Sequence, residues 1–198
     1  MIWEKRESRN KEIGLRLGRL MYHIIYHGRP FEDYPRLVYL SMANGADCGD
    51  INHSVKFIEN FLPHLAEAVR RRLKKMFTTR MVSTGCLPPV NIFADKATHQ
   101  RNTRQLIGGI TLNPGGEDLL VSVLFGLPLC PKGDGPYLCS NIESTVNEFI
   151  TDEQKVAFTG DGVYDNTKVA DIMSRRIGQG RRLVFTWDYM HKVNCIIL

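Results

Sequence analysis

Apolar residues recur at every third or fourth position in three stretches of the first half of the chain. This spacing places them on one side of an α-helix, so it predicts amphipathic helices over residues 8–27, 31–40 and 54–77. The third pattern is the clearest, and Ser54 stands where a helix N-cap is preferred. Its apolar seam consists of Ile58, Phe61, Leu62, Leu65, Val69, Leu73 and Met76.

The pattern changes after a glycine- and proline-containing stretch at residues 78–89. Short apolar runs typical of strands follow, together with a helical pattern that begins at Ser140 or Asn141 and another over 166–177. The predicted strands cover residues 90–94, 105–112, 119–127 and 156–159.

The second and third predicted strands are joined by residues 113–117, a turn too short to contain a crossover helix. Strands joined in this way pair in antiparallel fashion. The sequence therefore predicts a helical region over residues 1–80, followed by an α/β region with a mixed sheet over residues 81–198.

Two aspartates each follow a predicted strand, Asp95 the first strand and Asp161 the fourth. If these strands are neighbours, the carboxylates converge and repel one another unless a cation lies between them. Oxygen ligands select Mg²⁺ or Mn²⁺, which can activate a hydroxyl and stabilise the leaving oxygen of a phosphodiester. The sequence predicts such a site, with Gly160 and Gly162 allowing a sharp turn, unless Asp161 only caps the helix that follows.

Composition narrows the class of protein. The 198 residues are 43% hydrophobic and 24% charged, which suits a protein with a buried core, and the formal net charge of +5 favours an anionic partner only weakly. The five cysteines show no C-x-x-C spacing, so neither a zinc knuckle nor a disulfide framework is predicted. The cysteine pattern therefore favours a reducing compartment. Because no apolar run resembles a signal peptide or a membrane span, we expect no signal-peptide export and no membrane partner.

The densest positive run in the chain lies on the third predicted helix, opposite its apolar seam. Such a run suits contact with nucleic-acid phosphates or recognition for nuclear import. A solvated helix face explains it equally well. The residues are Arg70, Arg71, Arg72, Lys74 and Lys75.

Three motifs in this chain resemble those of one protein family. They read Asp-Lys-Ala-Thr at 95–98, Phe-Thr-Gly-Asp-Gly-Val-Tyr-Asp-Asn at 158–166 and Trp-Asp-Tyr-Met-His-Lys-Val-Asn at 187–194. With the helical lead-in and the hairpin, they resemble the ribonuclease H-like core of hAT-type transposases and transposase-derived proteins, over most of residues 20–198. The resemblance implies a mixed sheet with a three-stranded antiparallel meander and further parallel strands.

The same resemblance implies a function. Asp95 matches the first catalytic acid of the family and Asp161 the second, with Mg²⁺ or Mn²⁺ as cofactor for the cleavage and transfer of DNA strands. Of the family's C-x-x-H motif only the histidine is kept, as His191, with Asp188 in the cysteine position. DNA is the implied partner and the nucleus the implied location, with the cytoplasm as the alternative.

One departure from the family changes the expected activity. The family's third acid, a glutamate, lies well beyond the histidine motif, and this sequence ends at Leu198. We therefore expect a fragment or domesticated remnant of a transposase, inactive alone, that acts as a module binding nucleic acid or protein. A protein partner or a homo-oligomer is part of this expectation.

A second hypothesis uses the same residues. The motif at 159–165 resembles the metal-binding motif of haloacid dehalogenase-like phosphatases, and the motif at 95–98 resembles their nucleophile motif. Asp95 would then attack phosphorus, while Asp161 and Asp165 would hold Mg²⁺. Two features argue against it: Ala-Thr-His follows the lysine where Thr-Gly-Thr is expected, and that fold needs parallel strands with helical crossovers where this sequence predicts a hairpin.

Two further residues are auxiliary candidates for the metal site. Asp165 lies close to Asp161 in sequence, and His191 can transfer protons or contact DNA, or else pack beside Trp187. The last four residues, Cys-Ile-Ile-Leu at 195–198, fit a prenylation box, but the same apolar run is typical of a core strand or helix, which we favour.

Overall fold

The computed structural model describes residues 2–99, 102–115, 119–177, 180 and 182–187. Over these residues the protein is a mixed α/β structure with one five-stranded sheet. The chain divides into two compact units, residues 1–70 and 71–198, and the division falls within the third helix, whereas the sequence predicts the boundary after residue 80. No helix in the described part of the chain is long and apolar enough to cross a membrane.

The first unit is built from α1 (Ile2–Tyr26), α2 (Asp33–Ala43) and the beginning of α3 (Val55–Thr78). These are the three predicted helices. The hydroxyl of Ser54 accepts a hydrogen bond from the Phe57 backbone N–H at 3.3 Å, which confirms the predicted cap. Apolar side chains from all three helices and one loop cysteine form the core: Leu17, Met21, Ile24, Tyr34, Val38, Cys48 and Ile58.

The second unit begins with the last turns of α3 and continues with strands and helices. Its five strands include all four that the sequence predicts, each with somewhat different ends. In chain order its elements are β1 (Val90–His99), β2 (Asn102–Leu112), β3 (Leu120–Gly126), α4 (Gly135–Val146), a short 3₁₀ turn (Asp152–Gln154), β4 (Lys155–Gly160), α5 (Gly162–Asn166), α6 (Val169–Ile177) and β5 (Val184–Trp187).

The strands lie in the order β3-β2-β1-β4-β5. β2 pairs with both β1 and β3 in antiparallel fashion, whereas β4 is parallel to β1 and β5 is parallel to β4. The predicted antiparallel pairing of the second and third strands is therefore confirmed. β1 and β4 are direct neighbours, which is the condition that the predicted pair of carboxylates requires.

One face of the sheet packs against α4, α5 and α6 and forms the core of the second unit. Alternate residues of β1, Val90, Ile92 and Ala94, are buried on this face. The residues between them point to the opposite face, which we call the open face. Exposed apolar side chains on the open face are Ile110, Leu120, Leu124 and Val184.

α4 begins at Gly135, several residues earlier than its apolar pattern predicts. The cause is a cap that precedes the apolar residues: the Asp134 carboxylate accepts a hydrogen bond from the Tyr137 N–H at 3.0 Å. Pro136 lies in the first turn, where a helix tolerates a missing N–H. A prediction based on apolar periodicity alone starts such a helix too late.

The helix predicted over residues 166–177 corresponds to α6, which begins only at Val169, and the short α5 before it was not predicted. The break lies at a turn in which Lys168 adopts a positive φ of 55°, a conformation that no α-helix contains. Asn166 therefore ends a helix and does not begin one. The short α5 contains the residues that follow Asp161, and this affects how that carboxylate is held.

Four cysteines lie in the described residues, and none of them forms a disulfide. Cys48, Cys130 and Cys139 are buried, and Cys86 is exposed. Burial raises the pKa of the Cys139 thiol to about 11, so this thiol stays protonated at neutral pH. Cys195 and the rest of the prenylation-like box lie outside the described residues.

Candidate functional site

The register of β1 and β4 places both predicted acids just after the last pair of residues in this parallel ladder. Phe93 pairs with Thr159 in the parallel ladder. Asp95 and Asp161 each follow this pair by two residues, so both lie on the open face at the end of the β1–β4 pairing. Asp95 is exposed and Asp161 is half-buried, and thus solvent reaches the pair.

Each carboxylate is oriented by one backbone N–H. Asp95 accepts a hydrogen bond from the Lys96 N–H at 2.7 Å, and Asp161 accepts one from the Val163 N–H at 3.0 Å. Both bonds use Oδ1, and the Oδ2 atoms have no protein partner among the described residues. Asp161 is thus the N-cap of α5, the alternative role that the sequence suggested, and one of its oxygens remains available.

The prediction that Asp95 ends its strand is wrong. β1 continues to His99, because its hairpin partner β2 extends the antiparallel ladder to the pair His99 and Asn102. What ends near Asp95 is the ladder on the other side, since β4 stops at Gly160. Asp95 therefore has a paired strand on one side only, and its side chain is exposed.

Tyr164 of α5 belongs to the core of the second unit. Its ring is fully buried beneath the sheet, and burial is the main reason why its pKa is raised. The nearby Gln105 amide lowers this pKa, although the amide and the Tyr164 hydroxyl do not form a hydrogen bond of ordinary geometry. The negative charges of Asp161 and Asp95 also raise this pKa.

Sequence reasoning missed Tyr164 and misjudged the glycine before Asp161. A Cβ atom on Gly160 would lie 2.9 Å from the Cβ atom of Tyr164. The glycine thus provides space for the buried ring that supports α5, and its backbone does not need a positive φ. The Gly-Asp-Gly motif predicts a sharp backbone turn, whereas in the structure its first glycine makes room for the Tyr164 side chain.

A row of polar side chains crosses the open face beside the acids. The Asn91 amide nitrogen lies 3.1 Å from the Thr159 hydroxyl, which lies 2.7 Å from the Thr186 hydroxyl. The row links β1, β4 and β5, with Thr159 two residues before Asp161 and Asn91 four residues before Asp95. Two threonines in strands give no functional signal in a single sequence, because threonine is common in sheets.

Asp165, one of the two auxiliary candidates, forms no metal-binding group with the pair among the described residues. The Asp165 carboxylate lies 3.7 Å from Nζ of Lys168, with which it forms an ion pair on the turn after α5. His191 lies outside the described residues. Within the part of the chain that the structure describes, no group of three or more His, Cys, Asp or Glu side chains is arranged to hold a metal ion.

Comparison of the chain with protein-family models and with curated proteins finds no match. The function must therefore be argued from the geometry of the chain itself.

The basic run lies on the last turns of α3, and all five of its side chains are exposed. Lys74 places its Nζ 5.9 Å from the centroid of the Phe149 ring, a cation–π contact within the second unit. Positive side chains also interact favourably with the C-terminal end of a helix. The run consists of Arg70, Arg71, Arg72, Lys74 and Lys75.

Proposed function

We propose that the second unit is a ribonuclease H-like core related to hAT-type transposases, in which Asp95 and Asp161 bind Mg²⁺ or Mn²⁺ beside a DNA phosphodiester. The observation that carries the proposal is the parallel register of β1 and β4, which aligns the two acids on one face. The order and directions of the five strands support it, since an antiparallel meander followed by two parallel strands is what the resemblance implies.

The chemistry of the two acids fits a divalent cation. Both ligands are carboxylates, the ligand type that Mg²⁺ and Mn²⁺ prefer, and each has one oxygen oriented by a backbone N–H and one without a protein partner. A bound ion supplies a Lewis acid for reaction at phosphorus. The protein binds and orients it through Asp95 on β1 and Asp161 at the start of α5.

The phosphatase hypothesis shares these residues but requires a different sheet. Its nucleophile strand belongs to a parallel sheet with helical crossovers, whereas β1 forms a hairpin with the antiparallel β2. Asp165, its second predicted metal ligand, forms an ion pair with Lys168. We therefore prefer a nuclease-type metal site to a phosphoryl-enzyme mechanism.

The test of the metal site is a Mn²⁺ titration followed by thermal melting. We expect Mn²⁺ to stabilise the wild-type protein by about 2.7 kcal/mol at one hundred times its dissociation constant, because the ion binds only the folded state. Asp95→Asn and Asp161→Asn should each abolish most of this stabilisation. Both should fold, since asparagine removes the repulsion between the carboxylates and is also a good N-cap.

Asp165→Asn is the matched control, because it removes one carboxylate nearby without touching the pair. It should keep the full response to Mn²⁺. The proposed metal site is wrong if Mn²⁺ does not stabilise the wild-type protein, or if it stabilises Asp95→Asn as much as wild type.

We further propose that the basic run on α3 contacts the DNA backbone. All five side chains are exposed, and a dense positive run on one helix binds phosphates with little sequence preference. Changing Arg70, Arg71 and Arg72 to alanine should weaken retention on duplex DNA. If all three contact phosphates, the slope of log affinity against log salt should also become shallower by about 3.

The control for this test removes the same charge elsewhere. Lys5, Arg6 and Lys11 are exposed on α1, and their replacement by alanine lowers the net charge equally. If both triple variants lose DNA binding to the same extent, only net charge matters, and the proposed contact on α3 is wrong.

A further inference from the structure

Two exposed histidines lie one helical turn apart at the end of α1. The ring centroids of His23 and His27 are 4.5 Å apart, and the ring planes are tilted by 55°. The His27 backbone N–H donates to the His23 carbonyl at 3.1 Å, so the helical hydrogen bond between them is intact although α1 itself ends at Tyr26. The two imidazoles thus start from a shared face of the chain.

This spacing suits a shared metal ion. Two histidines four residues apart on a helix are the arrangement in which H-E-x-x-H motifs ligate zinc. With zinc–nitrogen bonds of 2.0–2.1 Å in a tetrahedral site, the two ligand nitrogens must be about 3.3 Å apart. Rings whose centroids are 4.5 Å apart can reach that separation by side-chain rotation, without a change in the backbone.

The surroundings favour a cation. The C-terminal end of a helix carries partial negative charge. Arg29, the nearest basic residue along the chain, is already paired, with its Nε 2.9 Å from Oδ2 of Asp33. The Tyr26 ring meets the His27 ring edge-on, with the ring centroids 5.0 Å apart.

We infer that His23 and His27 form a two-imidazole site for a borderline divalent cation such as Ni²⁺, Cu²⁺ or Zn²⁺. Imidazole selects these ions, whereas carboxylates select Mg²⁺ and Mn²⁺, so the site differs in chemistry from the one at Asp95 and Asp161. Two protein ligands leave coordination positions for water or for a group on a partner. A metal ion bound to both imidazoles links His23, in the last turn of α1, to His27, which follows the helix.

The test is a Ni²⁺ titration of the full chain, purified without a histidine tag, measured by calorimetry and by thermal melting. Wild type should bind Ni²⁺ and melt at a higher temperature in its presence. His23→Ala and His27→Ala should each weaken the affinity by about tenfold or more, since each removes one of two coordinate bonds. Both positions are exposed and alanine is a good helix former, so both variants should fold.

Two controls separate this site from other histidines and from the carboxylates. His64 is exposed on α3 and has no histidine three or four residues away, so His64→Ala should bind Ni²⁺ as wild type does. Asp95→Asn should also keep the full Ni²⁺ response, and therefore the two metal sites can fail separately. If wild type binds no Ni²⁺, or if His64→Ala loses as much affinity as His23→Ala, the inference is overturned.

Discussion

Replacing Gln154 with leucine should lower the free energy of unfolding by about 3–6 kcal/mol, because it leaves two buried backbone carbonyls and one part-buried N–H without partners. The Gln154 side chain is 3% exposed. Its Nε2 donates to the carbonyls of Phe77 and Pro88, both at 3.1 Å, and its Oε1 accepts from the Thr151 N–H at 3.0 Å. One side chain thus joins the end of α3, the segment before β1 and the turn before β4.

A second buried glutamine provides the matched control. Gln105 is also fully buried, but neither of its amide atoms has a hydrogen-bond partner among the described residues. Gln105→Leu removes an amide that is buried without compensation, so it should leave stability unchanged or raise it by about 1 kcal/mol. Leucine should therefore lower the free energy of unfolding at position 154, and should leave it unchanged or raise it at position 105.

Urea denaturation of both variants gives the measurement. The midpoint should fall strongly for Gln154→Leu and should not fall for Gln105→Leu, with similar slopes in both cases. A Gln154→Leu variant within about 1 kcal/mol of wild type would show that the freed backbone groups find other partners.

Gly108→Ala is expected to destabilise the protein by about 2–3 kcal/mol through overpacking of the sheet. A Cβ atom at this position would lie 2.2 Å from Cζ of Phe93 and 2.7 Å from the carbonyl oxygen of Val123. The carbonyl belongs to the backbone of the neighbouring strand β3, so it cannot move without a change in the ladder. The substitution should therefore strain the pairing of β2 with β3.

Gly115→Ala is the control for Gly108→Ala. Gly115 lies in the turn after β2, and within the described residues no atom lies within 4 Å of a Cβ atom placed there. Its thermal midpoint should stay close to that of wild type, whereas the midpoint of Gly108→Ala should fall by several degrees. Equal midpoints for the two variants would contradict the close approach of Phe93 to Gly108.

The candidate site could be predicted in part. The sequence places Asp95 and Asp161 after two apolar runs, and the structure makes those runs neighbouring parallel strands. The sequence suggests Asp165 as an auxiliary metal ligand, whereas in the structure Asp165 forms an ion pair with Lys168. That ion pair depends on the positive φ of Lys168 in the turn between α5 and α6, which the sequence pattern does not show. The contribution of Tyr164 was missed, since a tyrosine in a short helix has no distinctive pattern.

Some missed features were nevertheless present as local signals. Asp134 followed by Gly135 and Pro136 is a cap with proline in the first helical turn, and this signal marks the true start of α4. Apolar periodicity alone ignores this cap and therefore starts the helix too late.

By itself, the sequence determined the three helices of the first unit, the antiparallel pairing of β2 with β3 and the two acids that follow apolar runs. Helical and strand periods are local properties, and a turn too short for a crossover leaves one direction for the next strand. Only the tertiary structure decided that β4 lies beside β1, that Gln154 is satisfied whereas Gln105 is not, and that Gly108 must lack a side chain. The reason is that strand neighbours, register and the partners of a buried amide depend on segments far apart in the chain, which a local pattern does not contain.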